Sequence, residues 1–363
     1  PADPAAQRAR HVAEHDGDIA IGAAWPLSAR DGASFRAGVD LATQEINDAG
    51  GLQGRRLRVE YADDKASTRQ GSLVASAFIE NPEAGFVIGH PDSYVALETA
   101  LLYQDAGILF LAAGAGESRL TSQGFSRVIR VWPDDAETGA RAVEFCRQRG
   151  YRHVALLYNV TSGCQSLVNA IGESAAPARI EIATRLPYDN ADRRVLRWLV
   201  DMLQYYTFDA VFMAGDPEGL ALALECYRAA GYRQPVLSAM GMDSSAFLAR
   251  AGAAAEGCYV YSVFLPESPR QEVRDFSEKF ARKYGSAPDT WAALGYDAVR
   301  LLGEGIARAG AAHPDRVASA IRELKDWPAL TGPYTFTPSG NPASIAGEWK
   351  QIVSNRFVRV TGR

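Results

Sequence analysis

Several things are scarce or missing in this chain, and each absence excludes a class of function. No run of about 18 consecutive apolar residues occurs, so no segment reads as a membrane span. Cysteine occurs only four times, at Cys146, Cys164, Cys226 and Cys258. None of these makes a CxxC pair, and their wide spacing fits no zinc template. A chain of 363 residues buries enough core without covalent staples, so free thiols rather than a disulfide framework are expected. Excess positive charge is also missing. Lys and Arg number 38 against 43 Asp and Glu, which gives a net charge of −5 and argues against a nucleic-acid partner.

Catalytic signatures are absent as well. The sequence contains no GxSxG, no HExxH, no GxxxxGK[ST] and no calcium-loop pattern. Gly114-Ala-Gly116 has the start of a GxGxxG phrase, but Arg119 stands where the third glycine belongs, so a tight glycine turn is the better reading. The five histidines are scattered. His90 lies in a loop, where a satisfied polar residue is commoner than a catalyst. Asp63-Asp64, at a strand end, reads as solvated or capping. No reacting group with a base beside it is recognisable, so the chain is not expected to be an enzyme, to bind a metal or to carry a cofactor. Pro1-Ala-Asp-Pro4 has no basic-then-apolar start, so no signal sequence is expected within this chain.

What is present is patterned. The stretch Phe86–Leu120 reads as a short buried strand (Phe86–Gly89), a polar turn (His90-Pro91-Asp92), a helix opened by Ser93, a second strand (Ile108–Leu111) and a small-residue loop, Ala112-Ala113-Gly114-Ala115-Gly116. Two parallel strands then deliver two loops to one sheet edge. Ser93 is the expected N-cap, and a helix N-terminus with free N–H groups favours an anion. The second loop is nearly free of side chains, so a ligand can lie against its backbone. A small carboxylate fits this arrangement.

The same strand–helix alternation runs through most of the chain and restarts at Asp134, after a strand ended by Trp132-Pro133. Two long helical patterns, Pro269–Tyr284 and Ala287–Arg308, follow each other without a strand between them. Together these imply an α/β fold of two lobes with mostly parallel sheets, and a chain that crosses between them near Trp132, Val263 and Pro342. The expected lobes are 18–132 with 263–342, and 133–262 with 343–363. Residues 1–17 show no periodicity and are expected to be a disordered tail. Two lobes joined by several crossings imply a ligand cleft.

Phrases in order along nearly the whole chain, from Ile19 to Val360, carry a family resemblance. They are Glu45-Ile-Asn-Asp-Ala-Gly-Gly-Leu-Gln-Gly54, Val87-Ile-Gly-His90, Leu120-Thr-Ser-Gln-Gly-Phe125, Arg130-Val-Trp-Pro-Asp-Asp135, Ala255-Glu-Gly257, Ala293-Leu-Gly-Tyr-Asp-Ala-Val299 and Thr331-Gly-Pro333. The chain resembles the type I periplasmic solute-binding proteins, specifically the leucine/isoleucine/valine-binding family that serves ABC importers. The resemblance implies two Rossmann-like lobes, three crossovers and closure over a ligand in the interlobe cleft. It implies a periplasmic location and an ABC permease as partner, with no nucleic acid and no insertion into the membrane. A ligand-sensing regulator on the same fold is the alternative.

Carried over position by position, the resemblance puts Ser93 on the ligand carboxylate and Gly114, next to Ala113, where a backbone carbonyl takes an ammonium. Gly116 falls where a Thr is usual, and Met240 where an acid usually pairs the ammonium. Asp216 and Ser162 fall near two positions where the family often has Tyr. Trp291 and Trp25 would pack against the ligand, with Tyr94 a further candidate beside Ser93. Ordinary alternatives exist for each: packing for the tryptophans, a surface helix position for Tyr94, and an N-cap before Pro217 for Asp216. With Met240 and Gly116 in place of an acid and a hydroxyl, the expected ligand is a carboxylate with an apolar or aromatic body. Asp216 or, less directly, Asp243 would have to replace the acid for an amino acid to bind.

Overall fold

The computed structural model describes residues 3–343, 345 and 347–360, without the side chains of Arg30, Asp31 and Ser162. In chain order the elements are α1 (Pro4–Glu14), β1 (Ile19–Trp25), α2 (Arg30–Asp48), β2 (Leu57–Asp63), α3 (Thr68–Glu80), β3 (Ala84–Gly89), α4 (Ser93–Ala106), β4 (Leu109–Ala112), α5 (Arg119–Ser122) and β5 (Val128–Arg130). Then follow α6 (Asp135–Arg149), β6 (His153–Asn159), α7 (Ser162–Ala175), β7 (Glu181–Tyr188), α8 (Arg193–Met202), β8 (Ala210–Ala214), α9 (Pro217–Ala229), β9 (Val236–Ser238), α10 (Ser245–Ala251) and β10 (Tyr259–Ser262). The last are α11 (Gln271–Tyr284), α12 (Thr290–Ala309), α13 (Pro314–Arg322), β11 (Trp327–Ala329), β12 (Gly332–Tyr334), β13 (Glu348–Val353) and β14 (Arg356–Arg359). Internal contacts divide the chain into two compact units, Pro1–Asp134 with Pro266–Ala346, and Asp135–Leu265 with Gly347–Arg363.

The first unit is built on a five-stranded sheet in the order β2-β1-β3-β4-β5, with every pair parallel. Strands β1, β3 and β4 are buried along their whole length. That is why they read as unbroken apolar runs rather than alternating ones: helices cover both faces of a parallel sheet. Because the strands run one way, their ends at Trp25, Gly89, Ala112 and Arg130 deliver their loops to a single edge. Helix α12 lies directly against α2, and glycine makes the approach possible. A Cβ on Gly38 would fall 1.9 Å from the Ala292 carbonyl oxygen, and one on Gly295 would fall 2.4 Å from that of Phe35. This close crossing fixes where the first turn of α12, with Trp291, sits.

The amino-terminal segment departs from the expected disordered tail. Residues Pro4–Glu14 form α1, capped by Asp3, whose Oδ1 accepts from the Ala5 N–H, with Pro at the first turn. Ala5, Ala9 and Val12 are buried along one face. The signal was an Asp-Pro start and an i, i+4, i+7 set of small apolar residues, which alanine-rich composition hides. Arg8 reaches from this helix to the carbonyls of Ile79, Asn81, Ala84 and Ala106.

The second unit has a seven-stranded sheet in the order β14-β13-β10-β9-β8-β6-β7. The β10-β9, β9-β8, β8-β6 and β6-β7 pairs are parallel, while β13 and β14 join antiparallel. Apolar clusters fill both faces, one around Leu199, Leu224 and Phe247, the other around Leu156, Val168 and Phe212. All four cysteines are free thiols. Burial raises the thiol pKa of Cys146 to about 12 and that of Cys258 to about 11.

Candidate functional site

The edge of the first unit is shaped by the turn from β3 into α4. Gly89 has φ +133, and a Cβ there would lie 1.9 Å from the Ala24 carbonyl oxygen, so only glycine fits. His90 follows at φ +49, and its N–H donates to the same carbonyl at 2.9 Å. Its ring is held at both ends, Nδ1 lying 2.8 Å from Asp64 Oδ2 and Nε2 2.9 Å from the Tyr103 hydroxyl. All three residues are buried. His90 is the satisfied polar residue that its loop position suggested. Asp64 is not solvated: it is enclosed, accepting from the Ala66 N–H through Oδ1. This pairing anchors the turn that delivers Ser93.

Ser93 itself does not cap α4. The cap is Asp92, whose Oδ1 accepts from the N–H groups of Tyr94 and Val95 at 3.0 and 3.1 Å. Asp and Ser are both good caps, and the sequence offered them side by side. The chemical consequence matters more than the shift by one residue. Asp92 uses two of the leading donors and already places a carboxylate at the positive helix end. Anion capacity here therefore rests on the backbone N–H and the hydroxyl of Ser93 at the first helical position. The Ser93 side chain is buried, and its Oγ accepts from the Glu117 N–H at 3.3 Å, which leaves the hydroxyl hydrogen to donate.

The loop after β4 meets this turn. The Ala113 N–H donates to the Gly89 carbonyl at 3.3 Å. Gly114 has φ +94, and a Cβ there would meet Pro91 at 2.9 Å and the Trp25 ring at 3.3 Å. Gly116 is buried immediately before Glu117, the Ser93 partner. Arg130, at the end of β5, props this loop from behind, donating to the carbonyls of Ala115 and Glu117 at 3.1 and 3.0 Å. Burial opposes the charge of Glu117, but Arg119, through its guanidinium and backbone, and Arg130 outweigh it and hold that carboxyl below its ordinary range.

Trp25 and Trp291 belong to one aromatic group. Trp25 stacks on Phe35 with centroids 3.8 Å apart and meets Trp291 edge-on at 5.7 Å. Trp132 stacks on Trp291 at 5.4 Å. The structure therefore brings Ser93, Ala113, Gly114, Gly116, Trp25 and Trp291 to one edge of the first unit. Tyr94 stands apart in the first turn of α4, 45% exposed.

In the second unit, Asp216 and Met240 come from adjacent loops. A Cβ on Gly241 would lie 2.0 Å from the Gly215 carbonyl oxygen, so the turns after β8 and β9 touch. Asp216 caps α9, its Oδ1 accepting from the Gly219 N–H at 2.8 Å ahead of Pro217. Met240 is partly exposed two residues past β9. Asp243 is committed elsewhere: it is buried and paired with Lys350 Nζ at 2.8 Å, so it is no spare acid for an ammonium. The sequence separates that pair by 107 residues, and only the β10-β13 pairing brings Lys350 close. Ser162 opens α7, but its side chain lies outside the described residues. Among the described residues no group of three or more His, Cys, Asp or Glu could hold a metal, and no helix is long and apolar enough to cross a membrane.

The family of the chain is shown by comparison with known proteins. The sequence profile described as periplasmic binding protein matches residues 18–346. The chain belongs to this periplasmic binding protein family. A "Leu/Ile/Val-binding protein homolog 1" of Brucella suis is 26% identical over 94% of this chain and 92% of its own length. The "leucine-, isoleucine-, valine-, threonine-, and alanine-binding protein" of Pseudomonas aeruginosa is 27% identical over 89% of this chain and 84% of its own. Among solved structures, an ABC transporter substrate-binding protein of Desulfitobacterium hafniense in complex with Leu superposes with TM-score 0.83. It is 32% identical, covering 94% of this chain and all of that one.

Within this periplasmic binding protein, sequence reasoning missed three contributors. Trp132 was legible only as a strand terminator. Arg130 shows in sequence only as part of the Arg130–Asp135 phrase, while its bonds to the Ala115 and Glu117 carbonyls are visible only in the structure. Tyr188 gave no signal at all. Its buried hydroxyl has no hydrogen-bond partner among the described residues, and a Cβ on Gly215 would lie 2.5 Å from it. Burial, and then the nearby Asp216 carboxylate, push its pKa well above the ordinary range.

Proposed function

We propose that this chain is the extracytoplasmic, periplasmic solute-binding component of an ABC importer. It captures a small carboxylate with an apolar or aromatic body, does no chemistry on it and presents it to a permease in the inner membrane. The observation that carries the ligand class is the first unit's edge, where the Ser93 donors and a side-chain-free loop stand against the Trp25–Trp291–Trp132 wall. An ammonium taken out of water needs an anionic or strongly accepting partner. Met240 offers none, Asp243 is neutralised by Lys350, and Asp216 commits one of its two carboxylate oxygens to its own helix N-terminus. Aliphatic and aromatic acids without an amine are therefore the favoured ligands.

A second reading, an α-amino acid, is favoured by one observation: the Desulfitobacterium hafniense protein, 32% identical to this chain, is in complex with Leu. Calorimetric titration separates the two. Leucine, isoleucine and valine are compared with their deaminated 2-oxo acids and with benzoate, after a thermal-shift screen. A ligand at about 100 times its Kd stabilises the folded state by about 2.7 kcal/mol, a readily visible shift. Binding of the acids with weaker or absent binding of leucine supports the proposal. Micromolar leucine binding with no binding of the deaminated acids overturns it.

A further inference from the structure

Trp291 contributes more than ring surface. Its indole is 6% exposed, yet Nε1 has no hydrogen-bond partner among the described residues. A buried N–H without an acceptor is uncommon in folded proteins and costs stability, so where one persists a functional partner is a reasonable cause. The position of this donor is tightly determined. Trp291 lies in the first turn of α12, whose start is fixed by Asp289, with Oδ1 accepting from the N–H groups of Trp291 and Ala292 at 3.1 Å each. The glycine-mediated approach of α12 to α2 sets the helix axis. The ring is held between Trp132, stacked at 5.4 Å, and Trp25, edge-on at 5.7 Å. Trp25 in turn lies against the Gly114 position of the backbone loop. The unpaired donor is therefore rigid, and it belongs to the same aromatic group that borders the carboxylate-binding turn.

We infer that Trp291 Nε1 is a specificity-determining donor, and that the ligand is an acid whose body carries a second oxygen acceptor, a hydroxyl or a keto group, beyond its carboxylate. This rests on the carboxylate-binding reading above. The chemistry follows from the inventory of the edge. Trp25, Phe35 and Trp132 accept any flat or branched apolar body, and none of them distinguishes a plain hydrocarbon from an oxygenated one. Trp291 does distinguish them. A plain hydrocarbon leaves the N–H unpaired in the complex, whereas an oxygen at that position accepts its hydrogen. A site built to hydrogen-bond one substituent discriminates against the analogue that lacks it far better than a site that only packs. The rigid ring loses no rotamer freedom on binding, so the discrimination is not spent on ordering the side chain.

The test uses matched pairs of probes: benzoate against 3- and 4-hydroxybenzoate, and 4-methylpentanoate against 4-methyl-2-oxopentanoate. Each is titrated calorimetrically into the wild type and into Trp291→Phe, which keeps an aromatic ring and removes the N–H. The wild type should bind the oxygenated member of at least one pair about tenfold more tightly, the equivalent of one net hydrogen bond. Trp291→Phe should abolish that ratio: both members of a pair lose the same ring surface, but only the oxygenated one loses a hydrogen bond. Equal affinities within every pair in the wild type overturn the inference but leave carboxylate binding intact. A preference that survives in Trp291→Phe overturns the role of Nε1. Should the variant fail to fold, the wild-type ratios alone still decide whether an oxygen acceptor is selected. If none of these acids binds while leucine does, the carboxylate reading without an amine fails, and this inference fails with it.

Discussion

Arg8 offers a sharp test of how the first unit is held together. Its guanidinium donates to four backbone carbonyls: through Nε to Ala106 at 2.8 Å, through Nη1 to Asn81 and Ala84 at 2.6 and 3.0 Å, and through Nη2 to Ile79. Ile79 and Asn81 close α3, Ala106 closes α4, and Ala84 opens β3. The last carbonyls of a helix have no partner within the helix, and they carry the negative end of its dipole. A single planar cation here answers two helix ends and a strand start. Burial pulls the Arg8 pKa down, against the charge, so the bonds must outweigh the loss of water. A charged hydrogen bond contributes about 1.5–3 kcal/mol, but four sharing one partly exposed group do not add. Arg8→Gln should therefore cost about 2–4 kcal/mol. The assay is urea denaturation followed by tryptophan fluorescence, since Trp25, Trp132, Trp291 and Trp327 all lie in the first unit. Affinity for any ligand should be unchanged, because Arg8 reaches the start of β3, whereas Ser93 follows the turn at its other end. A loss below about 0.5 kcal/mol, within the range of an ordinary surface substitution, would refute the clamp.

Three further outcomes are expected. Ser93→Ala should lower carboxylate affinity by about 1.5–3 kcal/mol in calorimetry. The same variant should lose less than about 1 kcal/mol of stability, because Asp92 and not Ser93 caps α4; unchanged affinity would remove Ser93 from the site. Gly38→Ala should destabilise by at least about 3 kcal/mol, since its methyl would overlap the Ala292 carbonyl and force α12 off α2. A denaturation midpoint close to wild type would show that the helices slide apart freely. Asp209, which accepts from the N–H groups of Arg152 and His153, has a pKa held below its ordinary value first by the Arg152 backbone bond, against desolvation. A depressed carboxyl adds stability above its unfolded pKa, near 3.9, and loses it as pH falls through the lower folded value. Asp209→Asn should flatten that part of the acid limb of the stability curve, and an unaltered limb below pH 4 would count against it.

The architecture was legible because it depends on repeated local signals. Buried parallel strands such as Phe86–Gly89 show as apolar runs, their helices as 3.6-residue periodicity, and the boundaries as glycine and proline. What escaped was structure whose signal is either faint or far away. The α1 helix is short, alanine-rich and charged, so its propensity is weak in isolation. It is ordered because Arg8, Ala5 and Val12 find partners about 71 to 102 residues later, at the far ends of α3 and α4 and the start of β3. No window of local sequence contains that information.

The site divides along the same line. Backbone features were readable, because Gly89, Gly114 and the small-residue loop announce positions where a side chain would collide. Charge assignments were not, because the meaning of an acid depends on what stands opposite it. Asp92, Asp216 and Asp243 look alike in sequence. In the structure the first two answer their own helix N-termini, and the third neutralises Lys350 across a strand pairing. An acid already neutralised in a buried ion pair cannot also compensate a ligand cation without giving up its first partner. Leaving one half of a buried pair such as Asp243–Lys350 uncompensated costs about 3–5 kcal/mol. Ligand charge is therefore set less by which acids line an edge than by which of them are already committed. By that accounting the edge of the first unit, with the Ser93 donors, its aromatic wall and the Trp291 indole N–H, suits the oxygenated acid proposed above.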